Sequence, residues 1–239
     1  MSMTFSQIVA EIDRNCKSNS VSYPLADKVA DINSALGDAF TIAFRSGGTW
    51  QFDDSNHSDY PIITTALVSS QRDYAFTTDE NGNLILDIYK VMVRISATGQ
   101  YQEIYPVDVQ SQSGNESYFD GQNVTGIPQT YDKTANGIFL DPIPNYNSAD
   151  GLKIYINREG SFFTTADTTK KPGIDPLCHE YLVLKPSYKY ARNNNLASVA
   201  RLEKDMMLME RRIMERYAKR EQDVSDVLRS ADYNVQNWI

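Results

Sequence analysis

The stretch DYAFTTDENGNLILDIYKVMVRI, residues Asp73–Ile95, decides the fold class of this chain. Asn81-Gly82 lies near its centre, and an Asn-Gly pair between apolar runs is the strongest short-range signal for a β-hairpin. The run from Leu84 to Ile95 combines polar–apolar alternation with the β-branched and aromatic residues that strands favour. The stretch therefore predicts a hairpin of strands 73–78 and 83–95, with β-structure in the middle of the chain.

Further strands are predicted after this hairpin. Residues 103–109, 138–140 and 152–156 are short apolar or aromatic runs, and Pro106 indicates an edge strand or a bulge. The polar residues 110–126 predict a long loop, and the two prolines of residues 141–144 predict a turn-rich connection. Short strands of this kind pack most naturally as an antiparallel sandwich or a small barrel.

The residues before the hairpin predict two helices. The first has an N-cap at Thr4 and an apolar face that repeats at spacings of three and four, formed by Phe5, Ile8, Ile12 and Cys16. Pro24 suits the first turn of the second helix, which ends near Gly47-Gly48. The apolar stripe of the second helix consists of Leu25, Val29, Ile32, Leu36, Phe40 and Ala43.

The last third of the chain also predicts helices. Asp175-Pro176 combines an N-cap with proline at the first helical position, and Pro186 should kink or interrupt the helix that follows. The apolar face of that helix is Leu177, Tyr181, Leu184, Tyr188 and Ala191. A final helix has an apolar face of Val199, Leu202, Met206, Met209, Ile213 and Tyr217. Its other faces carry mixed charge, including Arg201, Lys204, Glu210, Arg211, Glu215 and Arg216.

These patterns predict an α+β protein in which N- and C-terminal helices form a helical bundle with an inserted antiparallel β-sandwich or small barrel. The predicted helical bundle comprises residues 1–48 and 166–229, and the predicted β domain comprises residues 49–165. Residues 230–239 are expected to form a C-terminal docking tail.

Charge is distributed unevenly along the 239 residues. The chain has 23 basic and 31 acidic side chains, a net charge of −8. Residues 45–165 hold 7 of the basic and 15 of the acidic side chains, so the predicted β segment contains the whole acidic excess. This balance argues against a dedicated duplex-DNA binder.

Other sequence features bear on where the protein is made. No apolar run approaches the roughly 20 residues of a membrane helix. The N-terminus lacks the basic and apolar regions of a signal peptide, and two cysteines provide no disulfide framework. We therefore expect a soluble protein that is made in a reducing compartment.

Motifs for catalysis or metal binding are sparse. Cys178-His179 is the one adjacent pair of metal-ligand types, and neighbours on a helix point in different directions, so a structural role is expected. Asp53-Asp54 could serve as the carboxylate pair of a hydrolase, although chance adjacency explains it better in so acidic a segment. We therefore predict a protein that is not an enzyme and has no metal or cofactor.

Two features indicate binding surfaces. The chain has 15 tyrosines, many of them in predicted strands and loops, which suits either a protein interface or ordinary strand composition. The C-terminal tail carries four apolar residues without a helical period, namely Tyr233, Val235, Trp238 and Ile239. An exposed apolar tail promotes aggregation unless it binds to another surface. We expect it to dock on a partner subunit rather than on its own domain.

Four groups of stretches carry a resemblance that spans nearly the whole chain. They are FSQIVAEI (5–12) followed by 23–44, RDYAF (72–76) with LDIYKV (86–91), GIPQTY (126–131) followed by GIFLDPIP (137–144), and LKIYI (152–156) with PLCHEYLVL (176–184). In this order the chain resembles the head-to-tail connector proteins of tailed bacteriophages, which are also called adaptor, head-completion or neck proteins.

The resemblance implies a structural virion protein at the head–tail neck, assembled in the host cytoplasm. Such connectors form a ring, usually of twelve copies, that lies beneath the portal, extends the DNA channel and presents a surface to the next neck or tail protein. The implied partners are the portal protein, neighbouring copies and the downstream protein, with no membrane. Genomic DNA would pass through without specific binding. Family connectors often send a terminal extension to the portal, a role that Ser230–Ile239 would fill here.

This role suggests functions for the charged residues. Acidic side chains that line the channel would repel phosphates, and the candidates are Asp79, Glu80, Asp120 and Asp132. The mixed charges of the final helix would pair between neighbouring copies. Two alternatives remain: a receptor- or glycan-binding β module of a tail or baseplate, which would use its tyrosines, and a hydrolase with an Asp or Glu pair.

Overall fold

The computed structural model describes residues 2–46, 54–107 and 124–218. Within these ranges the α-helices are α1 (Phe5–Cys16), α2 (Leu25–Ser46), α3 (Tyr181–Asn193) and α4 (Val199–Ala218). The strands are β1 (Ile62–Leu67), β2 (Asp73–Ala75), β3 (Ile85–Arg94), β4 (Tyr101–Pro106), β5 (Thr125–Gly126), β6 (Thr130–Thr134), β7 (Gly137–Asp141), β8 (Ile143–Pro144) and β9 (Ser148–Arg158).

The first helix begins and ends where its sequence predicts. Thr4 is the N-cap, and its backbone N–H donates a hydrogen bond to the side-chain oxygen of Gln7 at 2.9 Å. Lys17 closes the helix in the left-handed conformation, with φ of 50°. The predicted apolar face of α1 is buried along its full length.

The four helices share one apolar core. The predicted stripe of α2 is buried except for Leu25 in the first turn, and α4 buries Leu202, Met209, Ile213 and Tyr217. The predicted start of α3 is wrong: Pro176–Cys178 forms a separate 3₁₀ turn, capped by Asp175, and leaves Leu177 66% exposed. The helix itself begins at Tyr181 and continues through the buried Pro186, so the proline does not interrupt it.

The strands form one seven-stranded sheet in the order β1-β9-β3-β4-β6-β7-β2, together with a small β5-β8 pair. Residues from both ends of the large sheet contribute to a single core, so the sheet curls around it. The α+β class is confirmed. The wholly antiparallel arrangement is wrong at two pairs, because β4-β6 and β5-β8 are parallel. Residues 107–129 lie between β4 and β6 and leave room for the crossover that a parallel pair requires.

The predicted hairpin of strands 73–78 and 83–95 forms only at its tip. Thr78 and Leu84 make one isolated bridge around a turn in which Gly82 has φ of 84°. Beyond this bridge, β2 pairs with β7 while β3 runs between β9 and β4. The new partners bring Val91 and Val93 of β3 against the apolar residues of β9, so burial decides the pairing beyond the turn.

Residues 159–180 connect β9 to α3 and lie against the helices. The side-chain amide of Asn33 donates to the carbonyl of Phe163 and accepts from its N–H, both at 2.9 Å. The ring of Phe163 stacks on Phe5, with 5.0 Å between ring centres. Phe5 in turn donates its backbone N–H to the carbonyl of Lys170. The connector therefore belongs to the helical core.

Candidate assembly surfaces

The charged face of α4 is mostly committed to contacts within the chain. Tyr181 donates its hydroxyl hydrogen to Glu210 at 3.0 Å, and Arg216 pairs with Asp175 at 2.8 Å. Arg211 pairs with Glu215 one turn further along the same helix, at 2.9 Å. Of the six charged residues predicted to lie between copies, Arg201 and Lys204 are exposed and have no ion-pair partner within the described ranges.

The exposed part of α4 also carries apolar side chains. They lie outside the apolar stripe that the helical period predicts to be buried. Met207, Leu208 and Met214 are 57%, 48% and 47% exposed, outside the buried stripe that contains Ile213. Sequence reasoning overlooked them because they lie among charges and outside the apolar stripe. Exposed apolar residues that are grouped on one helix face are typical of interaction surfaces. Together with Arg201 and Lys204 they define the outer α4 face.

A second surface lies on the solvent side of β9, β3 and β4. Cross-strand register aligns Tyr155 with Lys90, Lys153 with Met92 and Glu103, and Arg94 with Tyr101. The opposite side of the same strands consists of buried aliphatic residues, so this side faces away from the core.

This surface concentrates positive charge in an otherwise acidic segment. The Tyr101 ring is close to both Arg94 and Lys153, whose charged groups are 4.9 and 4.2 Å from the ring centre. Lys90 is offset by Glu103 at 2.9 Å, and the hydrogen bond between them raises the pKa of Lys90. The alternation within β3 places Lys90 and Arg94 on one side. Their meeting with Lys153 depends on strand register, which local sequence does not specify.

The predicted channel acids have different settings. Asp79 is buried, where its carboxylate accepts hydrogen bonds from the backbone N–H groups of Asn81 and Asn83 and pairs with Arg158 at 3.2 Å. Burial by itself raises the pKa of Asp79, but the hydrogen bonds from Asn83 and Arg158 outweigh it and hold the pKa below its usual value. Asp79 thus stabilises a turn and has its charge offset. Glu80, one residue later, is exposed.

Asp132 occupies a third kind of setting. It is half-buried on β6, in register with Phe139 of β7, which is itself in register with Asp73 of β2. Neither Asp132 nor Asp73 has an ion-pair partner in the part of the chain that the structure describes. The other predicted site residues, Asp120 and the tail residues Tyr233, Val235, Trp238 and Ile239, lie outside the described residues.

Cys178 and His179 both have structural surroundings. His179 accepts the backbone N–H of Met3 at 3.0 Å through Nδ1, and its Nε2 is 3.1 Å from the carbonyl of Ile174. Burial lowers the pKa of His179 and raises the pKa of the Cys178 thiol to about 11. No group of His, Cys, Asp and Glu side chains in the described ranges has the arrangement of a metal site.

Asp54, one of the two acids considered as a hydrolase pair, has a structural role. Asp54 is buried, and its carboxylate accepts the backbone N–H groups of Asn56 and Ser161 at 2.7 and 2.8 Å. These bonds fix the loop before β1 to the connector that follows β9. Asp53 lies outside the described residues.

Comparison with known proteins identifies the family. A family model described as SU10 adaptor protein matches residues 3–232, almost the full length of the chain. No curated protein matches the chain. Among the described helices, none is long and apolar enough to cross a membrane. The match covers the helices, the sheet and both exposed surfaces, and the chain therefore belongs to the SU10 adaptor protein family of phage head–tail adaptors.

Proposed function

We propose that this adaptor forms a ring of twelve copies beneath the portal, extends the DNA channel and presents a docking surface to the next neck or tail protein. The observation that carries the proposal is the family match over residues 3–232. A ring requires two different, mutually complementary surfaces on each copy. The outer α4 face and the exposed sheet surface differ in structure, so each copy has more than one surface on which neighbours could bind.

The outer α4 face is proposed to contact a neighbouring copy. Arg201 and Lys204 are available for ion pairs, whereas Glu210, Arg211, Glu215 and Arg216 already have partners within the chain. Met207, Leu208 and Met214 would supply the apolar part of this contact. Burial of these side chains would stabilise the ring more than the exposed charges, which are well hydrated.

The channel is proposed to let DNA pass without gripping it. A net charge of −8 per copy would repel the phosphates of DNA. A channel wall with few unpaired basic side chains would also offer few binding sites for these phosphates. Glu80 is the described candidate for the channel wall, with Asp120 as a further candidate. Asp79 is less suited to this role because Arg158 offsets its charge.

The tail Ser230–Ile239 is proposed to dock on the portal. Its apolar residues would be buried there, and the many copies of a ring would reinforce one another through avidity.

The rest of the chain is proposed to form two units. Residues 1–48 and 166–229 would form the helical unit and 49–165 the β unit, although Phe163 packs with the helices. We propose a purely structural virion component that is assembled in the host cytoplasm and carries out no bond-breaking reaction.

The decisive measurement is the native mass of the purified protein alone and mixed with its portal. Joining of about twelve copies to each portal would support the adaptor ring. If the protein does not bind the portal in any oligomeric state, the proposed adaptor ring is overturned and the glycan-binding alternative is favoured.

Variants of the tail test the docking segment separately. Deletion of Ser230–Ile239, or the double replacement Trp238→Ala with Ile239→Ala, should abolish or strongly weaken portal binding because it removes apolar burial. The matched control replaces Asn234 and Gln236 by Ala in the same tail and should bind normally. Unchanged binding by the deletion variant would remove the tail from the proposal.

A further inference from the structure

Two halves of the large sheet carry matching motifs of opposite charge. On β3, β4 and β9, Arg94 and Lys153 both contact the Tyr101 ring; these three residues are the cationic triad. On β2, β7 and β6, Phe139 stands in register between Asp73 and Asp132; these three residues are the acidic triad. Each triad is one aromatic ring with two side chains of like charge, on the side of the sheet that faces away from the core.

Among the residues that the structure describes, the charges of both triads lack counter-charges. None of the four has an ion-pair partner in residues 2–46, 54–107 or 124–218, in contrast to Lys90 and Lys133, which pair with Glu103 and Asp87. The Nε atom of Arg94 is buried and has no hydrogen-bond partner within the same ranges. Two like charges held together without a counter-charge repel each other, which an opposite pair would relieve.

The two triads also have comparable dimensions. Asp73 and Asp132 are separated by two strand spacings, about 10 Å, with Phe139 between them. Arg94 and Lys153 are diagonal neighbours on the adjacent strands β3 and β9, so they are about 7–8 Å apart. Long Arg and Lys side chains adapt to the remaining difference. Each cation of one triad can therefore face one carboxylate of the other.

We propose that the cationic triad of one copy binds the acidic triad of a second copy, as a contact between neighbours in the adaptor ring. The proposal rests on the proposed function, since it assigns an interface within that ring. Because the sheet curls around its core, its two halves face different directions, and such a head-to-tail contact repeats from copy to copy. Asp132 then belongs to an interface between copies and not to the channel wall.

Charge reversal in the full-length chain, mixed with portal, tests this contact by native mass measurement. Lys153→Glu and Asp132→Lys should each lower the fraction of portals with a complete ring about tenfold or more, because like charges would face each other. The variant that carries both reversals should restore the ring, since the two triads again have opposite charge. Lys171→Glu reverses an exposed charge outside both triads and is the matched control.

Each outcome decides a different point. Rings of normal occupancy from either single variant, or no recovery in the double variant despite normal unfolding midpoints, would overturn the triad contact while the adaptor ring stands. Loss of the downstream protein alone, with rings intact, would also overturn it and assign the cationic triad to that partner. Failure of the wild-type protein to join the portal would overturn both the contact and the proposed function.

Discussion

The helical region and the sheet region each bury one basic side chain within the described residues, and they accommodate it differently. Lys28 of α2 pairs with Asp13 at 2.6 Å, and the Asp13 side chain remains 30% exposed. Arg158 at the end of β9 pairs with Asp59 at 2.9 Å and with Asp79 at 3.2 Å, and the Asp79 side chain is only 4% exposed. Lys28 thus pairs with one partly exposed carboxylate at the edge of the helical core, whereas Arg158 holds two carboxylates, one of them buried, in the sheet region.

The comparison shows how each region is assembled. The helical region already has a continuous apolar core, so its buried lysine needs only one surface carboxylate. In the sheet region, Arg158 joins residues far apart in sequence, because Asp59 precedes β1 and Asp79 lies in the turn before β3. Its guanidinium also donates to the carbonyl of Asp59 at 2.6 Å. Sheet stability should therefore depend more strongly on one charged residue.

The largest expected effect is that of Arg158→Ala. It leaves the Asp79 carboxylate buried without a counter-charge, which should lower the free energy of unfolding by about 3–5 kcal/mol. Chemical denaturation measures the loss, and hydrogen exchange should place it first in β9 and the 79–83 turn. Lys133→Ala removes an exposed ion pair to Asp87 and is the control, with an expected cost of at most about 1 kcal/mol. A loss for Arg158→Ala as small as the control's would contradict the central role of Arg158.

Lys28→Ala should have a smaller effect in the helical region. Asp13 can be hydrated after the replacement, so the expected loss is about 1–2 kcal/mol, between the values for exposed and fully buried pairs. Denaturation under the same conditions as for Arg158→Ala gives the comparison directly. Equal losses for the two replacements would mean that the exposure of the acidic partner does not set the cost, and would remove the distinction between the regions.

Local sequence predicts the helical region better than the sheet region, for the same physical reason. The faces of α1, α2 and α4 follow from residues three and four apart, so a single segment contains the information. Strand pairing in contrast depends on distant partners: the Asn81-Gly82 signal specifies the turn but not the pairing of β2 with β7. The 3₁₀ turn before α3 shows that boundaries also depend on packing, since Leu177 follows the helical period and is nevertheless exposed.

The candidate surfaces follow the same division. The charges of α4 are evident from sequence, but their partners Tyr181 and Asp175 lie on other elements, so sequence alone overstates how many are available. The cationic triad combines residues from three strands and has no local signature. Arg158 is equally inconspicuous, because it is one arginine that follows an apolar run.

Replacing one glycine in each region by alanine should change the free energy of unfolding by up to about 1 kcal/mol, in opposite directions. Gly82 has φ of 84°, which alanine adopts only with strain, so Gly82→Ala should destabilise the protein by about 1 kcal/mol. Gly37 lies inside α2 and has open space where the methyl group of an alanine would lie, so Gly37→Ala should stabilise the protein by about 0.5–1 kcal/mol. Thermal unfolding measures both shifts. A stabilised Gly82→Ala variant would show that the turn relaxes without its left-handed residue.

The smallest expected effect is a pH dependence that separates the two regions. Burial lowers the pKa of His179, so the unfolded state, whose histidine titrates near pH 6.5, binds more protons below that pH. The contribution of neutral His179 is therefore complete above about pH 6.5 and declines as the pH falls further.

The pKa of Asp79 is also lowered, so its contribution is complete above about pH 4 and declines only in stronger acid. Between pH 7 and pH 5, stability should fall through the helical region while the Asp79–Arg158 pair stays intact. Denaturation over this range should show the slope, and His179→Gln should flatten it because glutamine can hydrogen-bond without titrating. Asp79→Asn should instead alter the slope only below about pH 4. A His179→Gln variant that keeps the full slope above pH 5 would show that another group is responsible.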